Sequence, residues 1–329
     1  MNHRELGSAG VAVSAIGFGA WTIGDDWWGH IPDDDALRLL AAARDAGITL
    51  FDTAAGYGNG RSERLLGEAF AGAHAEVVFA TKFGYDLADT NRDGHRERRQ
   101  AWDPPSIRAS LVESLRRLRT DVIDLLQLHN PKMDAVRRDD IYATLEDLKA
   151  EGKIRAWGAA LGPRIGWRDE GIALLRARRP ASLHMIYNLL EQDPGRDLLE
   201  AARTVGAGVL VRVPLSSGVL TGAYSHETTF PAGDHRSHRP RGWLEDGLAK
   251  IEKLAFLPAE TGLTLAQASL RYLLDQPGLT SVLPTFRTGA EIREYAAAAA
   301  APPLTADQHG RIAALYATNF GVTPASAAT

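Results

Sequence analysis

The stretch Ala15-Ile16-Gly17-Phe18-Gly19-Ala20-Trp21 decides which α/β fold this chain adopts. It predicts a first strand that ends in Gly-Phe-Gly-Ala-Trp. The first strand of a dinucleotide-binding half-domain runs instead into a G-x-G-x-x-G turn, whose glycines let the backbone approach a pyrophosphate. This stretch therefore argues against a doubly wound open sheet, the alternative α/β fold for the chain.

Strand and helix patterns alternate along the chain after this stretch. The eight candidate strands are Ala15–Gly19, Thr49–Asp52, Val77–Lys82, Val122–Leu128, Ile154–Ala160, Ser182–Tyr187, Gly208–Val213 and Thr280–Leu283. Apolar residues at helical spacing lie between them, as in Ala36–Ala46, Pro105–Leu118 and Ile141–Glu151. Parallel strands need crossover connections, and closure removes the sheet edges. Eight β/α units in regular order therefore predict a (β/α)8 TIM barrel.

Segments outside the repeating unit complete the predicted architecture. Residues 4–13 predict a small hairpin that caps the bottom of the barrel. Two long loops, 86–103 and 215–243, follow strands and so belong on the C-terminal face, where barrel enzymes keep their chemistry. We expect one domain over residues 1–329, with the barrel at about 14–300 and a C-terminal helix and tail over 302–329.

Composition narrows the classes of function. The net charge of -4 gives no reason to expect nucleic acid or an anionic membrane surface as partner. The chain has no cysteine, which excludes disulfides, thiolate metal sites and a cysteine nucleophile. No apolar run approaches the roughly 20 residues of a membrane span, and the N-terminus lacks a signal-peptide pattern. We therefore expect a cytoplasmic protein, and the sequence does not indicate its oligomeric state.

Four polar residues lie at or just beyond the ends of three successive strands. They are Asp52, Tyr57, Lys82 and His129. Each taken alone is more typical of a structural role, such as a helix cap, a solvated lysine or a packed tyrosine. Strand ends in a barrel converge on one mouth, so the four side chains can meet around one ligand.

Such a set suits the reduction of a carbonyl by hydride transfer. Negative charge develops on the carbonyl oxygen, which needs a proton donor and electrostatic help. Tyr57 can donate the proton if an ammonium at Lys82 favours its phenolate, because a phenol near pKa 10 is otherwise a poor acid. Asp52 would hold Lys82 in place, and His129 would donate a hydrogen bond to the substrate oxygen.

Three motifs resemble those of the aldo-keto reductases. Residues 51–63, Phe-Asp-Thr-Ala-Ala-Gly-Tyr-Gly-Asn-Gly-Arg-Ser-Glu, resemble the D-T-A-x-x-Y-G-x-G-x-S-E signature of that family. Residues 123–129, Ile-Asp-Leu-Leu-Gln-Leu-His, are similar to its I-D-L-x-x-x-H segment, and Lys82 falls in its T-K position. The resemblance implies an NAD(P)H-dependent oxidoreductase that reduces a small-molecule aldehyde, ketone or sugar carbonyl. It gives the four residues the roles derived above and makes NADPH the usual cofactor.

The resemblance also implies cofactor contacts. Tyr187 and Asn188 match a Y-N pair near the nicotinamide. Residues 214–222 resemble a loop that covers the pyrophosphate, which implicates Pro214, Leu215, Ser217, Gly218 and Leu220. Arg287 is the candidate for binding a 2′-phosphate.

Five positions depart from the family pattern at the cofactor site. Ala160-Leu161 replaces Ser-Asn, His184 replaces Gln, Arg212 replaces an aromatic residue, Glu291 replaces Gln or Arg, and Tyr295 replaces Asn. We expect the Arg212 guanidinium to stack on the nicotinamide in place of the aromatic ring. A carboxylate at Glu291 would repel a 2′-phosphate, which leaves NADH open as the cofactor.

Three tryptophans, Trp21, Trp27 and Trp28, follow the first strand. They predict either loop packing or an aromatic wall for the substrate, because ligand pockets are mostly apolar.

Two other functions compete with the reductase. One is a cofactor-binding regulatory subunit with little turnover. The other is a metal-dependent hydrolase, for which His129 lacks companion ligands at neighbouring strand ends, so we expect no metal.

Overall fold

Parallel strands form a barrel at the centre of the protein. The computed structural model describes residues 1–89, 97–162 and 164–323. Its strands are β1 (His3–Glu5), β2 (Ala12–Ser14), β3 (Phe18–Gly19), β4 (Leu50–Asp52), β5 (Val78–Phe83), β6 (Ile123–His129), β7 (Ile154–Ala160), β8 (Ser182–Ile186), β9 (Gly208–Arg212) and β10 (Leu279–Leu283). Strands β3 to β10 pair in parallel in chain order. A parallel bridge between Ile16 and Val282 brings the last strand back to the first. The predicted TIM barrel is confirmed.

The N-terminal hairpin closes the bottom of the barrel, as the sequence predicts. β1 and β2 pair in antiparallel register. Arg4 donates from Nη1 to the carbonyl oxygen of Leu279 at 2.8 Å, where β10 begins. The fully buried side chains of Leu6 and Val13 pack with Leu50 and other residues inside the barrel. Apolar side chains of the hairpin therefore fill this end of the barrel.

Helices surround the barrel and bury one face each. They are α1 (Trp21–Gly24), α2 (Asp33–Asp45), α3 (Arg61–Ala69), α4 (Pro104–Leu118), α5 (Met133–Val136), α6 (Asp139–Ala150), α7 (Arg168–Ala173), α8 (Gly195–Val205), α9 (Arg241–Glu252), α10 (Phe256–Thr261), α11 (Leu265–Leu274), α12 (Gly289–Ala297) and α13 (Ala306–Ala317). α2 shows the pattern: Ala36, Leu39, Leu40 and Ala43 are buried at helical spacing. In the described part of the chain, no helix combines the length and apolar character needed to cross a membrane.

Element boundaries differ from the predicted ones where capping decides them. α4 begins at Pro104, earlier than predicted, because Asp103 accepts the backbone N–H of Ser106 at 3.0 Å and so caps the helix. β3 is shorter than the predicted 15–19 because the residues before Phe18 pair with β10 only through the bridge at Ile16.

Both long loops lie next to the C-terminal ends of the strands. Part of the 86–103 loop, residues 90–96, lies outside the described residues, and its flanks meet in a bridge between Tyr85 and Gln100. The end of the 215–243 segment is helical, because α9 begins at Arg241. In the predicted C-terminal region, α13 ends at Ala317 and residues 324–329 lie outside the described residues.

Candidate active site

A buried ion pair lies at the mouth of the barrel. Lys82 Nζ is 2.5 Å from Asp52 Oδ1, and both side chains are almost fully buried. The two residues occupy the C-terminal region of neighbouring strands β4 and β5, which are paired in register. The same ammonium donates to the carbonyl oxygen of Thr53 at 2.7 Å and to the hydroxyl of Tyr57 at 3.3 Å. The structure therefore brings three of the four predicted residues into direct contact.

The ion pair keeps Lys82 charged despite its burial. Burial by itself lowers the pKa of Lys82, but the Asp52 carboxylate and the Tyr57 phenol raise that pKa above its ordinary value. Gln127 Nε2 donates to Asp52 Oδ2 at 2.9 Å and so holds the second carboxylate oxygen. An ammonium fixed in this way directs positive charge at the Tyr57 hydroxyl.

Glycines give Tyr57 its position above the ion pair. Gly58 has φ of +58°, and a Cβ there would come within 2.1 Å of the carbonyl oxygen of Gly24 in α1. Asn59 and Gly60 continue this left-handed backbone, with φ of 52° and 84°. A Cβ at Gly58 would overlap that carbonyl oxygen, so only glycine fits at this contact. The Tyr-Gly-Asn-Gly sequence thus presses Tyr57 against α1 and turns its hydroxyl toward Lys82.

His129 completes the predicted set at the end of β6. Its ring lies edge-on to Tyr57, with 5.9 Å between the ring centroids, and edge-on to Tyr85 at 4.8 Å. Burial, together with the positive charges of Lys82 and Arg212, holds the pKa of His129 well below its usual range. The imidazole is therefore neutral at pH 7 and carries one N–H that can donate to a substrate oxygen.

The last two residues of the signature are structural. Glu63 is fully buried and accepts the Thr81 hydroxyl at 2.6 Å and the Arg117 Nε–H at 2.6 Å. Ser62 donates to the carbonyl oxygen of Ala20 at 3.0 Å. These contacts fix α3 against β5 and α4, so this half of the motif supports the half that forms the site.

Two further polar side chains enter the mouth from β8 and β9. His184 lies with Nδ1 3.7 Å from Asp52 Oδ2, and neither of its buried ring nitrogens has a hydrogen-bond partner. Arg212 Nη2 donates to the carbonyl oxygen of Leu161 at 2.6 Å and also to that of Gly162, and its Nε has no partner. Unpaired buried nitrogens are costly unless a ligand satisfies them, so both residues mark space for a polar ligand.

A match to a known family accompanies this geometry. The model of the Aldo/keto reductase family matches residues 15–317. The chain belongs to this family. The sequence resemblance to this family is thereby confirmed.

Individual relatives agree in length and fold. The aldo-keto reductase YhdN of Bacillus subtilis (strain 168) is 33% identical over 288 residues, covering 84% of this chain and 82% of the relative. A protein of Escherichia coli (strain K12) named NADH-specific methylglyoxal reductase is 30% identical over 310 residues, covering 91% and 93%. The glycerol dehydrogenase AKR11B4 from Gluconobacter oxydans superposes with a TM-score of 0.83 at 29% identity, covering 99% of this chain and 98% of that one.

A fourth relative was solved with a cofactor. An aldo/keto reductase from Klebsiella pneumoniae, in complex with NADP and acetate, superposes with a TM-score of 0.71 at 25% identity and covers 94% of both chains. In the present chain, no group of three or more His, Asp or Glu side chains among the described residues is arranged to hold a metal ion.

The Tyr187-Asn188 pair lies away from the mouth of this aldo/keto reductase. Tyr187 lies three residues after the inward-facing His184, so strand alternation points its side chain away from the barrel interior. Only 1% of its surface is exposed there. Its hydroxyl is 3.5 Å from that of Tyr272 in α11. Asn188 uses its amide on the Glu191 carboxylate and on the carbonyl oxygen of Val213, at 2.7 and 3.0 Å. Both residues support the wall of the barrel, and neither presents a polar group to the mouth.

The segment after β9 divides into buried anchors and a strained polar turn. Pro214, Leu215 and Leu220 are buried, so their side chains anchor the turn. Ser216, Ser217 and Gly218 have φ of 46°, 53° and 96°. Consecutive residues of this kind form a concave backbone that suits an anion, and such strain is concentrated at binding sites.

An arginine reaches this polar turn from later in the same segment. Arg239 Nη2 donates to the Ser217 hydroxyl at 3.2 Å, and its buried Nε has no partner. A strained turn next to a cation fits a pyrophosphate.

The adenosine end of the predicted cofactor site contains an internal anion. Glu291 Oε2 accepts the backbone N–H groups of Arg287 and Thr288 at 2.6 and 3.0 Å, and the Thr288 hydroxyl accepts the N–H of Glu291 in return. This capping box starts α12. The Glu291 carboxylate therefore places a negative charge next to the backbone N–H groups of Arg287 and Thr288. Tyr295 is buried against Phe286 and does not reach the surface.

An aromatic wall lies above Tyr57. Trp21 is 6.4 Å from the Tyr57 ring and meets Trp28 edge-on at 6.2 Å. His235, from the 215–243 segment, contacts both indoles at 5.5 and 5.2 Å. Trp27 is half-buried in the same short turn as Trp28. The wall thus combines two of the three predicted tryptophans with a histidine from a distant loop.

The sequence prediction missed three side chains that shape this site. Gln127 lies two residues before His129, so strand alternation alone predicts that it points inward. Tyr85 lies just past the end of β5, three residues after the inward-facing Lys82, so strand alternation does not predict its contact with His129. His235 has no local signal, because its contact with the tryptophans depends on the path of a long loop.

Proposed function

We propose that this chain reduces an aldehyde, ketone or sugar carbonyl to an alcohol, with a nicotinamide cofactor as hydride source and Tyr57 as proton donor. The observation that carries the proposal is the contact of the buried Lys82 ammonium with both Asp52, at 2.5 Å, and the Tyr57 hydroxyl, at 3.3 Å. A hydroxyl held against a buried ammonium supports the assignment of Tyr57 as the proton donor. Membership of the Aldo/keto reductase family supports the same activity.

Each residue of the tetrad has a distinct part in the reduction. A reduced nicotinamide supplies a hydride to the carbonyl carbon. Tyr57 gives its hydroxyl proton to the carbonyl oxygen, and the Lys82 ammonium stabilises the phenolate that remains. The neutral His129 donates a hydrogen bond to the same oxygen and orients the carbonyl. Asp52, held by Gln127, keeps Lys82 charged and immobile.

The residues around the mouth fit a nicotinamide dinucleotide. His184 and Arg212 offer unpaired nitrogens near the tetrad, where a carboxamide needs polar partners. The turn at Ser217 and Gly218, with the Arg239 guanidinium beside it, suits the pyrophosphate. The residues near the tetrad are thus assigned to the nicotinamide ring, and the turn after β9 is assigned to the pyrophosphate.

NADH fits the adenosine end better than NADPH. The carboxylate of Glu291 accepts the N–H groups of Arg287 and Thr288, which leaves a negative charge where the 2′-phosphate of NADPH would bind. Arg287 offers a positive charge to the 2′-phosphate, so we propose NADPH as a second cofactor. The E. coli relative is named as NADH-specific and the K. pneumoniae relative holds NADP, so the family uses both.

The substrate of this proposal is a small carbonyl compound that packs against Trp21, Trp28 and His235. The aromatic wall offers an apolar face to a sugar ring or an aryl aldehyde. Trp27 lies in the same short turn as Trp28, and we propose it as a further residue of this wall. We also propose that the protein acts as one barrel domain in the cytoplasm without nucleic acid or membrane partners, in line with its mildly negative charge.

Steady-state kinetics with Tyr57→Phe tests the proposal. The substitution removes one hydroxyl and keeps the ring contacts with Trp21 and His129. We expect turnover of every carbonyl that the wild type reduces to fall by about 100-fold or more, the usual contribution of a proton donor. Cofactor affinity should stay within about twofold. Unchanged turnover would remove Tyr57 as the acid. Cofactor binding by the wild type without turnover of any carbonyl would point to the regulatory subunit.

A further inference from the structure

Arg212 is a cation in the mouth of the barrel that is hydrogen-bonded to no carboxylate of the described residues. It points inward from the end of β9, two residues after the inward-facing Leu210. Its guanidinium donates only to main-chain carbonyl oxygens, those of Leu161 and Gly162 just past β7. Among the described residues, no carboxylate forms an ion pair with it. The side chains of Ala160 and Leu161 offer no polar group in its place.

Four other titratable side chains at the mouth contribute no net charge. Lys82 and Asp52 form a neutral pair at 2.5 Å. Burial and the nearby charges of Lys82 and Arg212 hold the pKa values of both His129 and His184 well below the usual range, so both rings are neutral at pH 7. Arginine keeps its proton in proteins. The charges of these four groups therefore sum to zero, and Arg212 adds one positive charge to them.

We propose that Arg212 makes this site bind the reduced form of the nicotinamide more tightly than the oxidised form. The inference rests on the proposed function, since it assumes that a nicotinamide binds at the mouth. The reduced ring is neutral, whereas hydride transfer leaves a positive charge on the oxidised ring. A fixed guanidinium repels only the oxidised form.

The chemistry of the reaction places the ring within reach of this charge. The carbonyl oxygen must lie within hydrogen-bond distance of the Tyr57 hydroxyl, and the hydride donor must lie next to the carbonyl carbon. Arg212 interacts electrostatically with Tyr57, and its charge also acts on His129 and His184, on two other sides of the same space. At a separation of about 6 Å and an effective dielectric of about 20 to 40, Coulomb's law predicts a preference of about tenfold to a hundredfold.

Two carbonyl oxygens keep the guanidinium in this position. Both hydrogen bonds are made by Nη2, so the anchor leaves Nε unpaired and does not neutralise the charge. Carbonyl oxygens orient the guanidinium but carry no full negative charge. They therefore do not cancel its positive charge as a carboxylate would. The oxidised cofactor is then the species that leaves the site readily after each turnover.

Binding measurements on the wild type and three variants test the proposal. Dissociation constants for NADH and NAD⁺ are measured by isothermal titration calorimetry at low ionic strength, and the folded state of each variant is checked by circular dichroism. Arg212→Met removes the charge and keeps much of the chain length. We expect the ratio of the NAD⁺ constant to the NADH constant to fall by about tenfold or more in this variant. Arg212→Lys keeps the charge and should retain most of the wild-type ratio.

Arg239→Met is the matched control. It removes a half-buried cation that contacts Ser217 in the turn suited to the pyrophosphate. Because both forms of the cofactor carry the same pyrophosphate, we expect this variant to weaken both to a similar degree and leave their ratio unchanged.

Two results would overturn the inference. One is an unchanged ratio in Arg212→Met with both dissociation constants measurable. The other is an equal fall of the ratio in Arg212→Met and Arg212→Lys, which would mean that the shape of the guanidinium matters rather than its charge. If the ratio stays constant while the KM for glyoxylate rises in Arg212→Met, the cation binds an anionic substrate instead. Failure of the wild type to bind either form would contradict the proposed function itself, a distinct outcome.

Discussion

Lys82→Met tests whether the centre of the site is a buried ion pair. The substitution keeps a straight side chain of similar length and removes the ammonium. The Asp52 carboxylate, whose side chain is 4% exposed, then loses its contact at 2.5 Å and keeps the Gln127 amide at 2.9 Å. Removing one partner of a buried pair costs about 3–5 kcal/mol, because the remaining charge is buried without compensation. Since Gln127 and the charge of Arg212 remain nearby, we expect a loss of about 3 kcal/mol.

A double-mutant cycle measures the pair itself. The free energy of unfolding is obtained from guanidinium chloride titrations followed by circular dichroism for the wild type, Lys82→Met, Asp52→Asn and the double variant. We expect the double variant to be less destabilised than the sum of the single variants by about 2 kcal/mol. Arg203→Met is the control, because its pair with Glu200 is exposed and should contribute less than about 0.5 kcal/mol.

The cycle has a clear refuting result. If Lys82→Met costs less than about 1 kcal/mol, or if the double variant loses the simple sum of the two single losses, then Lys82 and Asp52 are not coupled in the folded protein. Lys82 would in that case lack the fixed charge that the proposed role of Tyr57 requires.

Three other substitutions give sharp expectations. Arg287→Ala should weaken NADPH far more than NADH in parallel fluorescence titrations, and equal losses would mean that Arg287 does not contact the 2′-phosphate. Glu291→Gln keeps a side chain that can form the capping box and removes the negative charge, so the affinity for NADPH relative to NADH should rise by about tenfold; an unchanged ratio would refute the repulsion. Burial lowers the pKa of His235 to about 4, below the ordinary value near 6.5. The unfolded chain therefore takes up the proton first, and stability falls as the pH drops from about 6.5 toward 4. His235→Phe should lose less Tm than the wild type over that interval, and parallel Tm curves would contradict the assignment.

The barrel could be predicted from the sequence because each barrel strand is a short apolar run with its own local signal. Ile154–Ala160 agrees with the predicted strand at both ends. The tetrad was also predictable, since a residue at the C-terminal end of a barrel strand has only one mouth to reach. Asp52 and Lys82 lie within strands, so their positions could be predicted without knowing the path of any loop.

The cofactor residues were harder to predict because a motif does not fix the direction of a side chain. Tyr187 lies just past the end of β8, three residues after His184, and its side chain is buried against Tyr272 of α11. Glu291 has a capping role that depends on the backbone of Arg287 and Thr288 folding back toward it. His235 reaches the tryptophans through a loop whose path is decided by tertiary contacts.

The most direct test of the account is a fluorescence titration of the purified protein with NADH and NADPH in parallel, followed by addition of aldehydes and keto-sugars to the loaded protein. We expect both cofactors to bind, NADH more tightly, and at least one carbonyl compound to oxidise the bound cofactor. Binding without oxidation by any carbonyl would contradict the catalytic role of Tyr57 and Lys82. Absence of binding would contradict the assignment of the mouth as a nicotinamide site.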